Sequence, residues 1–109
     1  MVDRTTITEL CQAIARMVRP ERIILFGSYA YGRPSAGSDV DLLVVLRFRG
    51  NPVRKAAEIL EKVNPRIGVD LLVRTPAQVR QRLAWNDFFM REIVEKGKVL
   101  HDTHRARVG

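Results

Sequence analysis

The stretch GSYAYGRPSAGSDVDLLVV (residues 27–45) joins a loop rich in glycine and serine to an apolar run, with Asp39 and Asp41 where the two meet. Every position from 42 to 46 is apolar, the pattern of a strand covered on both faces. Side chains two apart on a strand point to the same side, so the two aspartates share a face. Two negative charges at the mouth of a strand bound for the core need a physical reason, because like charges held together cost stability.

The flanking segments supply a frame. RIILF (22–26) is a short apolar strand ended by Gly27, and NPVRKAAEILEKVN (51–64) is an amphipathic helix. Its buried face is expected to carry Val53, Ala56, Ala57, Leu60 and Val63, with Arg54/Glu58 and Glu58/Lys62 paired on the other side. IGVDLLV (67–73) is a third strand. A strand, a crossover helix and a strand make a unit whose two strands run parallel, so their N-terminal ends lie at one edge and Asp70 can reach Asp39 and Asp41 from the side.

Upstream, Ile7, Leu10, Cys11, Ile14, Ala15 and Val18 fall at helical spacing, Thr6 and Glu9 have the spacing of a capping box, and Pro20 marks the exit. Downstream, Thr75 is the expected cap of a helix with Pro76 at its first position, and Phe88, Phe89, Ile93 and Val94 carry helical periodicity to Gly97. The aromatics here read as core rather than as a stacking surface. KVLHD (98–102) suits a short edge strand, and the chain from about 101 to 109 reads as a frayed tail. The expected architecture is an α/β (α+β) single domain over 1–109, a small mixed sheet of three to four strands flanked by helices in the order α-β-α-β-α-β-α.

Composition narrows the function. The 109 residues suffice for one core, 46% are hydrophobic, and neither a low-complexity tract nor an internal repeat interrupts them. No apolar stretch approaches the roughly 20 residues of a membrane span, and the N-terminus lacks a signal peptide's apolar core, so a cytoplasmic protein is expected. Cys11, the single cysteine, reads as a buried, inert thiol. A net charge of +7 suits anionic partners or a solvated basic surface equally. His101, Asp102 and His104 read as solvated.

Three carboxylates brought together call for a cation among them. Oxygen-only ligands without a nearby His or Cys cluster suit Mg²⁺ or Mn²⁺, and Mg²⁺ takes one or two carboxylates plus substrate phosphates. A phosphorylated substrate is therefore implied. The loop fits that need: Gly27 lets the backbone approach, Ser28 adds a hydroxyl donor, and a short helix opened by YAY would point its positive end at a phosphate. Each feature taken alone is common in proteins without such a site. Their order, from Gly-Ser through Asp-x-Asp to a crossover helix and an Asp inside the next strand, is a long pattern to meet by chance.

This pattern resembles the signature of the DNA-polymerase-β-like nucleotidyltransferase superfamily. The short chain is similar to its minimal nucleotidyltransferases, the small partners of HEPN-domain proteins in bacteria and archaea. The resemblance implies a nucleotidyltransferase fold, with Gly27 and Ser28 binding phosphate and Asp39 and Asp41 binding metal. It makes Asp70 the third carboxylate, which helps activate the attacking hydroxyl, with two metal ions held by Asp39, Asp41 and Asp70, Mg²⁺ in the first place and Mn²⁺ as an alternative. Many minimal members carry arginine where this chain has Tyr29 or Tyr31, so that part of the triphosphate grip is either missing or moved to Arg33. The function implied is that of an antitoxin transferring AMP from ATP to a tyrosine hydroxyl of a cognate HEPN ribonuclease toxin. Two other readings stay open: an antitoxin that masks its HEPN partner by binding alone, and nucleotidyl transfer to a small molecule or RNA with a partner subunit. Either a homo- or a hetero-oligomer is compatible with these readings.

Overall fold

In the computed structural model, which describes residues 1–104, nine elements follow one another. They are α1 (Arg4–Val18), β1 (Arg22–Phe26), α2 (Ser28–Tyr31), β2 (Val40–Val45), α3 (Pro52–Val63), β3 (Val69–Arg74), α4 (Pro76–Ala84), α5 (Phe88–Lys96) and β4 (Lys98–Asp102). The four strands form one mixed sheet in the order β3-β2-β1-β4. β1 runs antiparallel to both β2 and β4, and β2 runs parallel to β3. The expected α+β architecture holds, and the expected helical stretch before Gly97 and the edge strand over 98–102 are present as α5 and β4.

The sheet divides two apolar clusters, as the unbroken apolar run of β2 requires. On one side Ile23, Leu25, Leu42, Val44 and Val73 pack with Ile7, Leu10, Cys11 and Ile14 of α1 and with Ala56 and Ile59 of α3. On the other, Ile24, Phe26, Leu43 and Val45 pack with Val79 of α4 and with Met90 and Ile93 of α5. Each fully buried Leu or Ile contributes about 1.5–3 kcal/mol relative to exposure, so β2, buried on both faces, carries much of the core. No helix among the described residues is long and apolar enough to cross a membrane.

Local signals explain the helix ends, with two revisions. The cap of α1 is Asp3, whose Oδ1 accepts the Thr6 N–H at 2.8 Å, so the helix starts ahead of the expected Thr6 cap. Asp has an acceptor of the right reach at that position, and the Thr6 N–H holds its carboxyl below its ordinary pKa. The Thr75–Gln78 capping box and Pro76 start α4 as expected. Asn86, in the left-handed region at φ 61°, breaks the chain between α4 and α5, and Asp87 caps the second.

The buried face of α3 is rotated from the expected one. Ile59 is its anchor, whereas Val53 is 76% exposed and Ala57 also faces solvent. Glu58 lies 3.7 Å from Lys55 and from Lys62; the expected partner Arg54 is replaced by Lys55. The aromatics of the α4–α5 turn are a larger departure. Trp85, Phe88 and Phe89 are 67%, 77% and 53% exposed, and only Phe89 touches the core, edge-on to Phe26 with ring centroids 5.8 Å apart. The break at Asn86 turns the start of α5 so that Met90 and Ile93 are buried against the sheet, while Phe88 is left to solvent and Phe89 meets it only at the edge of Phe26.

The tail also differs from expectation. His101 and Asp102 are strand residues paired with Ile23 and Arg22 of β1. Thr103 is tied down as well, its backbone N–H and hydroxyl donating to the Glu21 carbonyl at 3.0 and 2.9 Å. Residues 105–109 of the expected tail lie outside the described residues. Cys11 is buried, and burial pushes its thiol up to about 11, which keeps it protonated and unreactive near neutral pH.

The rotated face of α3 sets a stability test. Ile59→Ala is expected to cost about 2–5 kcal/mol and Val53→Ala less than about 0.5 kcal/mol in urea unfolding. Comparable losses at the two positions would mean that α3 buries the face its sequence pattern suggests.

Candidate active site

Asp41 is the second residue of β2, and the hydrogen-bond register fixes its neighbours. Phe26 of β1 stands beside it on one side and Asp70 of β3 on the other. In paired strands, side chains in register project to the same face, so the carboxyls of Asp41 and Asp70 lie side by side on the face that α4 and α5 cover further along. Asp39 precedes the strand. The Val40 N–H donates to the Gly68 carbonyl at 2.9 Å, which starts the parallel pairing and brings Asp39 alongside Gly68.

Two glycines make the carboxylates fit. Gly27 sits at φ 70°, in the left-handed region, and a Cβ there would overlap Asp41 Oδ2 and come within 3.0 Å of its Cγ. A Cβ on Gly68 would overlap Asp39 Oδ1. Gly27 was legible as a turn beside a phosphate site; its second role, room for Asp41, depends on the β1–β2 register. Gly68 was missed altogether, because IGVDLLV reads as a strand start with an incidental glycine.

The loop before Asp39 is also held. Ser38 Oγ accepts the Ser35 N–H at 2.9 Å, the Ser38 N–H donates to the Ser35 carbonyl at 3.0 Å, and the two hydroxyls are 3.2 Å apart. A serine pair three residues apart is the signal that reveals such a turn in a sequence. Ahead of it, the short helix α2 begins at Ser28, with the Ala30 and Tyr31 N–H groups on the Gly27 carbonyl. Tyr29 belongs to the opposite side: it packs with the α1 cluster, and its hydroxyl accepts the Val2 N–H at 3.0 Å. Arg33 is exposed in the loop and makes no ion pair among the described residues.

Electrostatically the site is an uncompensated negative cluster. Asp41 is half-buried, and its carboxyl titrates above its ordinary value, through burial first, then the charges of Asp70 and Asp39, and a hydrogen bond with Asp70. None of the ion pairs among the described residues involves Asp39, Asp41 or Asp70. Among those residues, no group of three or more His, Cys, Asp or Glu side chains is placed to hold a metal ion, so Asp39, Asp41 and Asp70 do not converge as the expected three-carboxylate set. The oxygen donors still suit Mg²⁺, which needs only one or two protein carboxylates when substrate phosphates complete its shell.

A carboxylate cluster at the sheet end, reached from a Gly-Ser turn, is the arrangement that a known family shares. The profile of the nucleotidyltransferase domain matches residues 7–103, from α1 to the end of β4. The chain belongs to that family. It is thus a nucleotidyltransferase, and the match spans all four strands and the three aspartates.

Solved structures with the same fold stand further off in sequence. A Sulfolobus solfataricus protein described as a candidate nucleotidyltransferase is 23% identical, over 71% of this chain and 70% of its own, with a TM-score of 0.57. A toxin–antitoxin complex named MntA-HpeT, in a form with two aspartate-to-glutamate substitutions, is 19% identical over 96% of this chain and 77% of its own, with a TM-score of 0.51. A toxin–antitoxin structure with AMP-PNP is 20% identical over 91% and 76%, also at 0.51. No curated protein matches the chain significantly.

The raised carboxyl of this nucleotidyltransferase gives a pH test. Because Asp41 has a higher pKa folded than unfolded, the folded state holds the extra proton between the two values, and stability falls as pH rises through that window. Asp41→Asn is therefore expected to be more stable than the parent protein at pH 7 in EDTA, by about 1 kcal/mol or less given the solvent screening. The gap should close below about pH 4, where the parent's Asp41 is also neutral. Urea midpoints of both proteins across pH 3.5–8 check this; a gap independent of pH would assign the effect to packing.

Proposed function

We propose that this nucleotidyltransferase is the antitoxin of a toxin–antitoxin pair and transfers AMP from ATP, with Mg²⁺, to a tyrosine hydroxyl of a HEPN-type ribonuclease toxin. The observation that carries the reading is the register that sets Asp41 beside Asp70, with Asp39 at the same strand end and no ion pair to any of the three among the described residues. Two solved structures of the same fold, both toxin–antitoxin assemblies and one holding AMP-PNP, support it further.

In this reading the residues take the roles that the family resemblance implies. Asp39 and Asp41 hold Mg²⁺, and Gly27 and Ser28 receive the β- and γ-phosphates at the turn into α2, with exposed Arg33 as an additional cation for them. Bound Mg²⁺ would neutralise the triphosphate and polarise the α-phosphate. Asp70, in hydrogen-bond reach of Asp41, takes the proton of the acceptor hydroxyl as its oxygen attacks the α-phosphorus. The new phosphorus–oxygen bond forms in line with the one that breaks, and pyrophosphate leaves. Positioning and electrostatics account for most of the rate.

A protein acceptor fits the open carboxylates, which a partner surface could reach. Asp39 and Asp70 are open to solvent, and the elements after β3 are two short helices and an edge strand. Phe89, partly exposed, lies edge-on to Phe26, the in-register neighbour of Asp41, so an apolar contact surface lies next to the carboxylates.

Incubation with the HEPN partner, ATP and Mg²⁺, read by intact mass, tests the proposal. A gain of one or more AMP units is expected, and Asp39→Asn/Asp41→Asn should lower the rate by at least about 10²–10³-fold while folding normally. No gain from the intact protein, with a stable complex still formed, would replace transfer by masking. Gly68→Ala tests positioning alone: by displacing the Asp39 carboxylate it should slow transfer by about 10–10²-fold, with little change in the unfolding midpoint. A wild-type rate in that variant would remove Asp39 from the site.

A further inference from the structure

At the far end of β3 from Asp70 the structure has a second concave surface of opposite charge. A cleft of about 280 Å³ is lined by Pro52, Arg74, Gln78, Gln81, Arg82 and Trp85. The four lining residues of α4 and its cap fall at i, i+3, i+4 and i+7, one face of a helix, and that face is polar and aromatic where Val79 marks the buried one. Asp70 and Arg74 are four residues apart on one strand, about 13 Å at roughly 3.3 Å per residue.

The lining is rich in donors and poor in acceptors. Arg74 is half-buried and held in place, its Nη1 donating to the Val73 carbonyl at 2.7 Å. Its guanidinium is destabilised by burial and then by the like charge of Arg82. Neither arginine is in an ion pair among the described residues, and no acidic side chain lines the cleft. Gln78 uses its Oε1 to accept the Thr75 N–H at 2.9 Å, which leaves the amide NH₂ to donate. Trp85 adds a flat, largely exposed indole face.

Two uncompensated guanidiniums brought together at a cleft are stabilised when an anion sits between them, and phosphate matches their planar donors. An indole beside them offers a stacking face to a base. We infer that this cleft binds a nucleoside phosphate, the phosphate between Arg74 and Arg82, the base on Trp85 and its edge on the glutamine amides. The volume, near the lower end of ligand pockets at roughly 300 Å³, limits it to one nucleotide unit. That unit comes either as a free nucleotide or as one residue of a single-stranded RNA. The inference rests on no residue of the carboxylate site.

Trp85 is the chain's single tryptophan, so its fluorescence reads the cleft directly. The full chain is titrated in EDTA with 5′-AMP, with an eight-residue oligoadenylate and with hexaglutamate. Quenching by AMP and oligoadenylate alike identifies a free-nucleotide site. Quenching by the oligomer alone, weakening as salt is raised, identifies an RNA strand. In both cases Arg82→Gln, a change at an exposed position, is expected to weaken binding at least tenfold without moving the unfolding midpoint, and Asp39→Asn/Asp41→Asn to leave it unchanged. The inference is overturned if neither nucleotide quenches, if hexaglutamate quenches equally well, or if the aspartate variant loses the signal as Arg82→Gln does.

Discussion

The rest of the structure depends on the burial of β2 between β1 and β3. A strand apolar on both faces has to be covered on both, by α1 and α3 on one side and α4 and α5 on the other. Its two ladders then have no freedom of register, since a slip of one residue would exchange its two buried faces and carry Asp41 into the α1 cluster. The positions of Phe26 and Asp70 on either side of Asp41 follow from that constraint.

The same constraint explains why the negative cluster is tolerated. Repulsion among Asp39, Asp41 and Asp70 is borne at the open end of a sheet whose interior is apolar, where solvent screens part of it. Gly27 and Gly68 supply the space for two of the carboxylates, which removes a steric cost without adding a compensating charge. The Ser35–Ser38 turn holds the loop that leads into them. Nucleotidyl transfer needs such an arrangement, with negative groups placed beforehand and completed by a cation and a phosphate from outside. The opposite end of β3, with its paired arginines, has the complementary imbalance, so one strand separates a surface suited to cations from one suited to anions.

Where the sequence misled, the cause was geometric in each case. Val53 belongs to the apolar set of α3, but the helix leaves this first-turn residue to solvent, and Ile59 anchors it instead. Phe88 and Phe89 have core-like periodicity, yet the left-handed Asn86 redirects the chain, leaving Phe88 to solvent and Phe89 half-exposed at the edge of Phe26. Asp3 and Thr6 are both competent caps, and only the path of the chain into α1 selects between them.

Local pattern alone determined the strands, the crossover and the nucleotidyltransferase resemblance, because alternation, apolar runs, Pro and Gly act within a few residues of themselves. Asp39 and Asp41 were legible together for the same reason: two residues on one strand share a face wherever that strand lies. What only the tertiary structure decided is everything that joins distant segments: that Asp70 stands directly beside Asp41, that Gly68 clears Asp39, that β4 ties residues 98–102 to β1, and that Arg74 meets Arg82 over a cleft. These depend on strand order and register, which are set by how two buried faces close around β2 and leave no mark in any one segment.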